Sequence, residues 1–125
     1  MTTSLDFAIV ANNADVVTIS VLDQNSAPVI LTGQYIRWQL FDPDGNALIT
    51  KDTSSGIAIV NSSLGVANAM AIAINPADTI GIAQGNYVHE AVAVANSSSP
   101  VTITANDPIL SAGSAFIRQQ YTGWP

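Results

Sequence analysis

No cysteine occurs among the 125 residues. A disulfide framework and any zinc site built on thiolates are thereby excluded. Charge is scarce as well: charged side chains make up 10% of the chain, against about 25% in an average globular protein. Positive charge is almost missing, with Arg37, Lys51 and Arg118 the three cations in a chain of net charge −6. Nucleic-acid binding works by neutralising phosphates with clustered Lys and Arg, and three scattered cations form no such groove. An anionic membrane surface is excluded as a partner on the same ground. No apolar run approaches the roughly 18 residues of a membrane-spanning helix. The opening Met1-Thr2-Thr3-Ser4-Leu5-Asp6 lacks the basic and apolar regions of a signal peptide, so a chain made and kept in a cytoplasm is expected.

What is present is apolar and alternating. Hydrophobic residues make up 48% of the chain, enough for one domain spanning 1–125 to close a core without metal or disulfide. A surface so poor in charge suits a protein whose faces are covered by neighbours. Tyr35 to Phe41 places Ile36, Trp38 and Leu40 on one face, with Tyr35, Arg37, Gln39 and Phe41 on the other. Asp42-Pro43-Asp44-Gly45-Asn46 then turns the chain into Leu48 to Lys51, a hairpin signal. Phe7 to Ala11 is a short apolar run, Asp15 to Leu22 and Gly56 to Val60 read as further strands, and Pro28 to Leu31 is an apolar run whose Pro28 suits an edge or a strand start. Val66 to Ile74, Tyr87 to Val94, Val101 to Ala105 and Ser114 to Tyr121 complete the set, with a turn at Ala112-Gly113. In Asp15 to Leu22 both faces are expected to be partly buried. Asn75, Pro76 and Asp78 mark a short helical turn over Asn75–Ile80, through a cap, a first-position proline and an acid in the first turn. Gly85-Asn86-Tyr87 resembles the corner by which a small sandwich enters a strand. Residues 122–125 form a short tail.

About eight strands at turn spacings of roughly 8–12 residues predict an all-β, immunoglobulin-like antiparallel β-sandwich, with a jelly roll as the alternative architecture. No Cys-Trp-Cys pattern is present, so an antibody-type domain is not expected.

Several motifs invite chemistry. Asp42, Asp44 and Asn46 imitate the start of a calcium loop, but Gly45 comes too early and loop position 12 falls on Thr53, which supplies no bidentate carboxylate. These residues read as a hairpin turn. His89 and Glu90, the sole His and sole Glu, are adjacent in a strand and face opposite ways, so they form no dyad. Gly113-Ser114-Ala115 lacks the nucleophile-elbow pattern. Asp15, Asp23, Asp78 and Asp107 stand in turns and caps. No catalytic residue, no metal ligand and no cofactor site is therefore assigned, and no enzyme is expected. Tyr35, Phe41, Tyr87, Tyr121 and Trp124 would suit a sugar-binding platform if they shared a face.

One strand is unusual. In Val66 to Ile74 the residues opposing Met70, Ile72 and Ile74 are alanines: Ala67, Ala69, Ala71 and Ala73. A solvated sheet face normally carries charge, so an alanine face predicts close packing against another surface. Ala67, Ala69, Ala71, Ala73, Phe116 and Trp124 are the candidate interface residues.

The order of segments carries a resemblance. Asp23-Gln24-Asn25-Ser26-Ala27-Pro28-Val29 leads to Leu31-Thr32-Gly33. Ile36-Arg37-Trp38-Gln39-Leu40, Asp42-Pro43-Asp44-Gly45 and Leu48 follow, then Asn75-Pro76-Ala77-Asp78-Thr79 and Gly85-Asn86-Tyr87-Val88-His89-Glu90. This series, from about Val16 to Val94, resembles the small immunoglobulin-like domains of tailed-bacteriophage virion proteins, including the N-terminal domain of phage baseplate upper proteins. After Asn96 the chain departs from it, with a longer, apolar-rich segment. The resemblance implies a non-catalytic virion component, assembled in the host cytoplasm and docked on capsid, neck or tail as symmetric copies among other virion proteins. The alternative reading is a carbohydrate- or receptor-binding module.

Overall fold

The computed structural model describes residues 3–4, 6–11, 14–22, 25–94 and 109–118. Nine strands are found among them: β1 (Thr3–Ser4), β2 (Phe7–Val10), β3 (Asp15–Ser20), β4 (Tyr35–Phe41), β5 (Ala47–Asp52), β6 (Ile57–Val60), β7 (Ala69–Ile74), β8 (Gly85–Val94) and β9 (Ile109–Arg118). They form two sheets. The larger runs β1-β9-β8-β4-β5, with β2 also pairing β9, and the smaller runs β3-β7-β6. All pairs are antiparallel except those of β1 and β2, which run parallel to β9. Two sheets of this order, one carrying the strands that enclose a buried tryptophan, make an immunoglobulin-like β-sandwich.

Period-two alternation explains the core. Ile36, Trp38 and Leu40 of β4 are all fully buried, as are Met70, Ile72 and Ile74 of β7. They meet Ile9, Ile19, Ile117 and other inward residues of both sheets in one cluster. In β3 only Val17 and Ile19 face inward; Val16, Thr18 and Ser20 are exposed. The expectation that both faces of this segment are partly covered is corrected accordingly.

Three further expectations change. Pro28 to Leu31 is no strand: Pro28 makes one isolated bridge to Leu22, and Leu31 is buried as a loop residue whose N–H donates to the Ala67 carbonyl. Ala112 and Gly113 lie within β9 rather than at a turn, because Gly113 is held opposite His89 in the β8 register. The strand expected from Val66 begins at Ala69. The segment Val101 to Ala105 lies outside the described residues. The helical turn is present as a 3₁₀ helix, Pro76–Thr79, in which the Asn75 N–H donates to Asp78 Oδ2 at 2.7 Å. The same oxygen receives Lys51 Nζ of β5 at 2.8 Å, which pins the turn to the edge of the larger sheet. Gly56 makes room for this reach: its φ is +101°, and a Cβ there would stand 2.6 Å from Lys51 Cδ.

The break between β1 and β2 is satisfied by a side chain, for Asp6 Oδ1 accepts from the Ser114 N–H of β9 at 2.9 Å. At the start of β8 the Tyr87 hydroxyl donates to the Ala83 carbonyl four residues back. This is the tyrosine corner of an immunoglobulin-like sandwich. Because its donor serves a backbone carbonyl in the chain's approach to β8, Tyr87→Phe is expected to lower unfolding stability by about 1 kcal/mol in denaturant titration, with the fold retained.

Candidate interaction surfaces

The acidic segment 42–46 closes the β4–β5 hairpin. Gly45 N–H donates to the Asp42 carbonyl at 3.0 Å, and Asp42 N–H donates to the Asn46 carbonyl at 3.0 Å. Gly45 has φ of +87°, and the β4–β5 register shifts between Leu40 and Phe41. A turn followed by a left-handed glycine and a bulge is a common hairpin closure. The Asp42 carboxylate is spent on this turn. Its Oδ1 accepts from the N–H groups of Asp44 and Asn46, each at 2.9 Å, and its Oδ2 accepts from Asn46 Nδ2 at 3.1 Å. A calcium ligand would have to abandon those donors. Asp52 is committed in the same way, with Oδ1 accepting from the N–H groups of Ser54 and Ser55 at 2.8 and 2.9 Å. Among the described residues no group of three His, Asp or Glu side chains converges.

The hydrogen bonds from Asn46, first its backbone and then its side chain, hold the Asp42 carboxyl below its ordinary value, against a smaller opposing effect of desolvation. The folded chain therefore binds fewer protons here than the unfolded chain does in acid. The resulting stability is present above the ordinary aspartate value and is lost as pH falls through the lowered one. Asp42→Asn should thus be less stable than the parent at neutral pH, with the gap in melting temperature closing as the pH is taken well into the acid range.

His89 is fully buried on β8. Its Nδ1 accepts from Trp38 Nε1 at 3.3 Å, which places the ring proton on Nε2. Phe7 packs beside it, ring centroids 4.7 Å apart. Glu90, the next residue, faces outward opposite Gln39, as strand geometry requires. His89 therefore belongs to the core. It stands two residues after the corner tyrosine, where an antibody domain carries its second cysteine.

The outward faces remain. On the smaller sheet, the registers Val16↔Ala73, Thr18↔Ala71 and Ala58↔Ala71 set these residues side by side. Val16, Gly56, Ile57, Ala58, Ala71 and Ala73 line a shallow, open, apolar depression, with Val16 61% exposed at its rim. Ala71 and Ala73 thus lie on a common open face. Ala69 is fully buried and offers no area to a partner. Ala67 precedes the strand and is half-buried. Phe116 lies elsewhere, half-buried on the outer side of the larger sheet opposite Asn86 and Ala8. Trp124 lies outside the described residues. The candidate interface residues are therefore not one surface. Val16 and Ala58 were missed; the Val16-Val17 doublet was the available signal, since neighbouring strand residues cannot both face the core.

The aromatic residues make no common platform among those described. Tyr35 and Phe41 share the outer face of β4 but sit at its opposite ends. Tyr87 faces the core and is held by its bond to Ala83. Tyr121 and Trp124 are outside the described residues.

No protein-family model matches the chain, and no curated protein matches it in sequence. Among solved structures, the chain is similar to the extracellular domains of the voltage-gated sodium channel beta4 subunit, described as parallel homodimers that explain a role in cell–cell adhesion. That likeness covers 97% of this chain and 96% of the other, at 8% identity and a TM-score of 0.38.

Proposed function

We propose that this protein is a non-catalytic structural component of a tailed-bacteriophage virion, present in symmetric copies and docked on capsid, neck or tail. The observation that carries this reading is the outer face of β3-β7-β6, where Val16, Ala58, Ala71 and Ala73 stand in place of the charged residues of a solvated sheet. The order of segments from Val16 to Val94, similar to that of phage virion domains, supplies the setting. The size of the face supplies the mode of attachment. Three strands, the two longest of six residues, outline a face of roughly 300 Å² at standard strand spacings. A lasting interface needs about 800 Å² per partner. A face this small holds its place through repetition, each copy's weak contact being reinforced by those of its neighbours in the assembly. Mass spectrometry of purified virions tests the proposal. The protein should be found in many copies per particle, and virions that lack it would refute the reading.

A further inference from the structure

We infer that the open edge of β3 pairs with the β3 edge of a second copy, antiparallel across a two-fold axis at Thr18. This deepens the reading of the chain as one of several symmetric copies, and rests on it for its biological setting.

Both β1 and β2 join the larger sheet, parallel to β9. Among the described residues β3 consequently pairs only with β7 and stands at the edge of the smaller sheet. Folded proteins normally blunt such an edge with lysine, proline or a bulge, because unpaired backbone groups are a template for another strand. Val16-Val17-Thr18-Ile19-Ser20 contains neither lysine nor proline, and its register with β7 is unbroken.

The direction of the free backbone groups can be read from one hydrogen bond. Val16 N–H donates to Asp15 Oδ1 at 2.8 Å, so it is turned away from the β7 ladder. Alternation in an antiparallel pair then turns the backbone groups of Thr18 and Ser20 to the same open side. The side chains of all three residues are exposed. Val17 and Ile19 point into the core.

A second copy of the same edge fits this pattern. With the axis at Thr18, Thr18 faces Thr18 of the second copy and Val16 faces Ser20 of the second copy. Val17 faces Ile19 of the second copy, so the inward sides stay inward and the outward sides outward. Any register shifted by one residue would set an inward residue against an outward one. Charge selects the direction. Antiparallel pairing puts the two Asp15 carboxylates at opposite ends, whereas parallel pairing in register would set them side by side. The pairing also joins the two apolar depressions into one continuous face on a six-stranded sheet. Asp15 competes for Val16 N–H and moderates the contact, so pairing is weak in dilute solution and favoured where copies are concentrated.

The absence of cysteine makes the test direct. Thr18→Cys is introduced into the full chain, which then holds one thiol, and the protein is oxidised mildly with oxidised glutathione. Thr50→Cys, an exposed position on β5 of the other sheet, serves as the collisional control. Directly opposed Cα atoms in such a pair are about 5.5 Å apart, within disulfide reach, so Thr18→Cys should yield about tenfold more covalent dimer than Thr50→Cys. Adding Val16→Lys to Thr18→Cys should return the yield to the control level, since lysine at that exposed position blocks the edge. Equal yields from Thr18→Cys and Thr50→Cys, or a yield indifferent to Val16→Lys, would overturn the inference. Crosslinking together with absence from virions would leave β3 pairing standing and remove the virion reading. The converse result would do the opposite.

Discussion

His89→Ala is expected to lower the unfolding free energy by about 3 kcal/mol or more, a fall in melting temperature of roughly 10 °C or more for a domain of this size. The residue is fully buried and packs between Phe7 of β2 and Trp38 of β4. Truncation would empty that space and leave the indole N–H of Trp38 without its acceptor. Trp38→Phe isolates part of this effect. It shortens the ring and removes the donor, at a cost of about 2 kcal/mol. Combining Trp38→Phe with His89→Leu should cost less than the sum of the two single changes, because the second substitution removes the polar nitrogen that the first left without its indole donor. Strict additivity in denaturant unfolding would show that the hydrogen bond contributes nothing. In an antibody domain the corresponding place holds a disulfide packed on tryptophan. Here an imidazole and an indole tie β8 to its neighbour β4 within one sheet, in a chain with no cysteine.

Asn68→Asp, nearly isosteric, is expected to be the most damaging of the conservative changes. Asn68 is fully buried just before β7. Its Nδ2 donates to the Val21 carbonyl at 3.0 Å, while its backbone carbonyl accepts from Val21 N–H at 2.8 Å. These bonds continue the β3–β7 pairing past Ser20, where the regular ladder stops. A carboxylate there would replace the donor by a second acceptor facing the Val21 carbonyl, and would bury a charge. The cost at neutral pH should be about 2 to 4 kcal/mol. The effect has a sign that separates it from a general packing defect. A protonated carboxyl can donate to Val21, so the variant should recover stability as pH falls and lose it as pH rises. A deficit unchanged across the acid range would mean that the amide donor is unimportant.

The two sites differ in how far the sequence reveals them. The inward face of β4 was legible, because Ile36, Trp38 and Leu40 alternate with polar or amphipathic neighbours and strand geometry then assigns the faces. The 3₁₀ turn after Asn75 and the tyrosine corner at Tyr87 were legible for a related reason: cap, proline and Gly-x-Tyr act within a few residues. The partner of His89 was not. Trp38 is 51 positions away, and nothing local states that β4 and β8 lie side by side. The same holds for Asp6, whose carboxylate meets the Ser114 N–H 108 positions on. The apolar residues Pro28 to Leu31 do not form a ladder. Leu31 is buried instead by insertion from a loop, with its N–H given to Ala67; burial requires apolar surface, and pairing requires a neighbouring strand.

Composition and local pattern are enough to fix a β-sandwich whose core holds no disulfide, an acidic segment that closes a hairpin, and alanines on one side of β7. These follow from composition and from interactions within a few residues. Long-range pairing sets β1 and β2 parallel to β9, covers Ala69 while Ala71 and Ala73 stay open, and among the described residues leaves β3 at a sheet edge. Those outcomes depend on which distant strands compete for the same partner. The backbone groups on the outer side of β3 would accept any suitable strand; among the described residues none pairs there, because the N-terminal strand is paired in the other sheet.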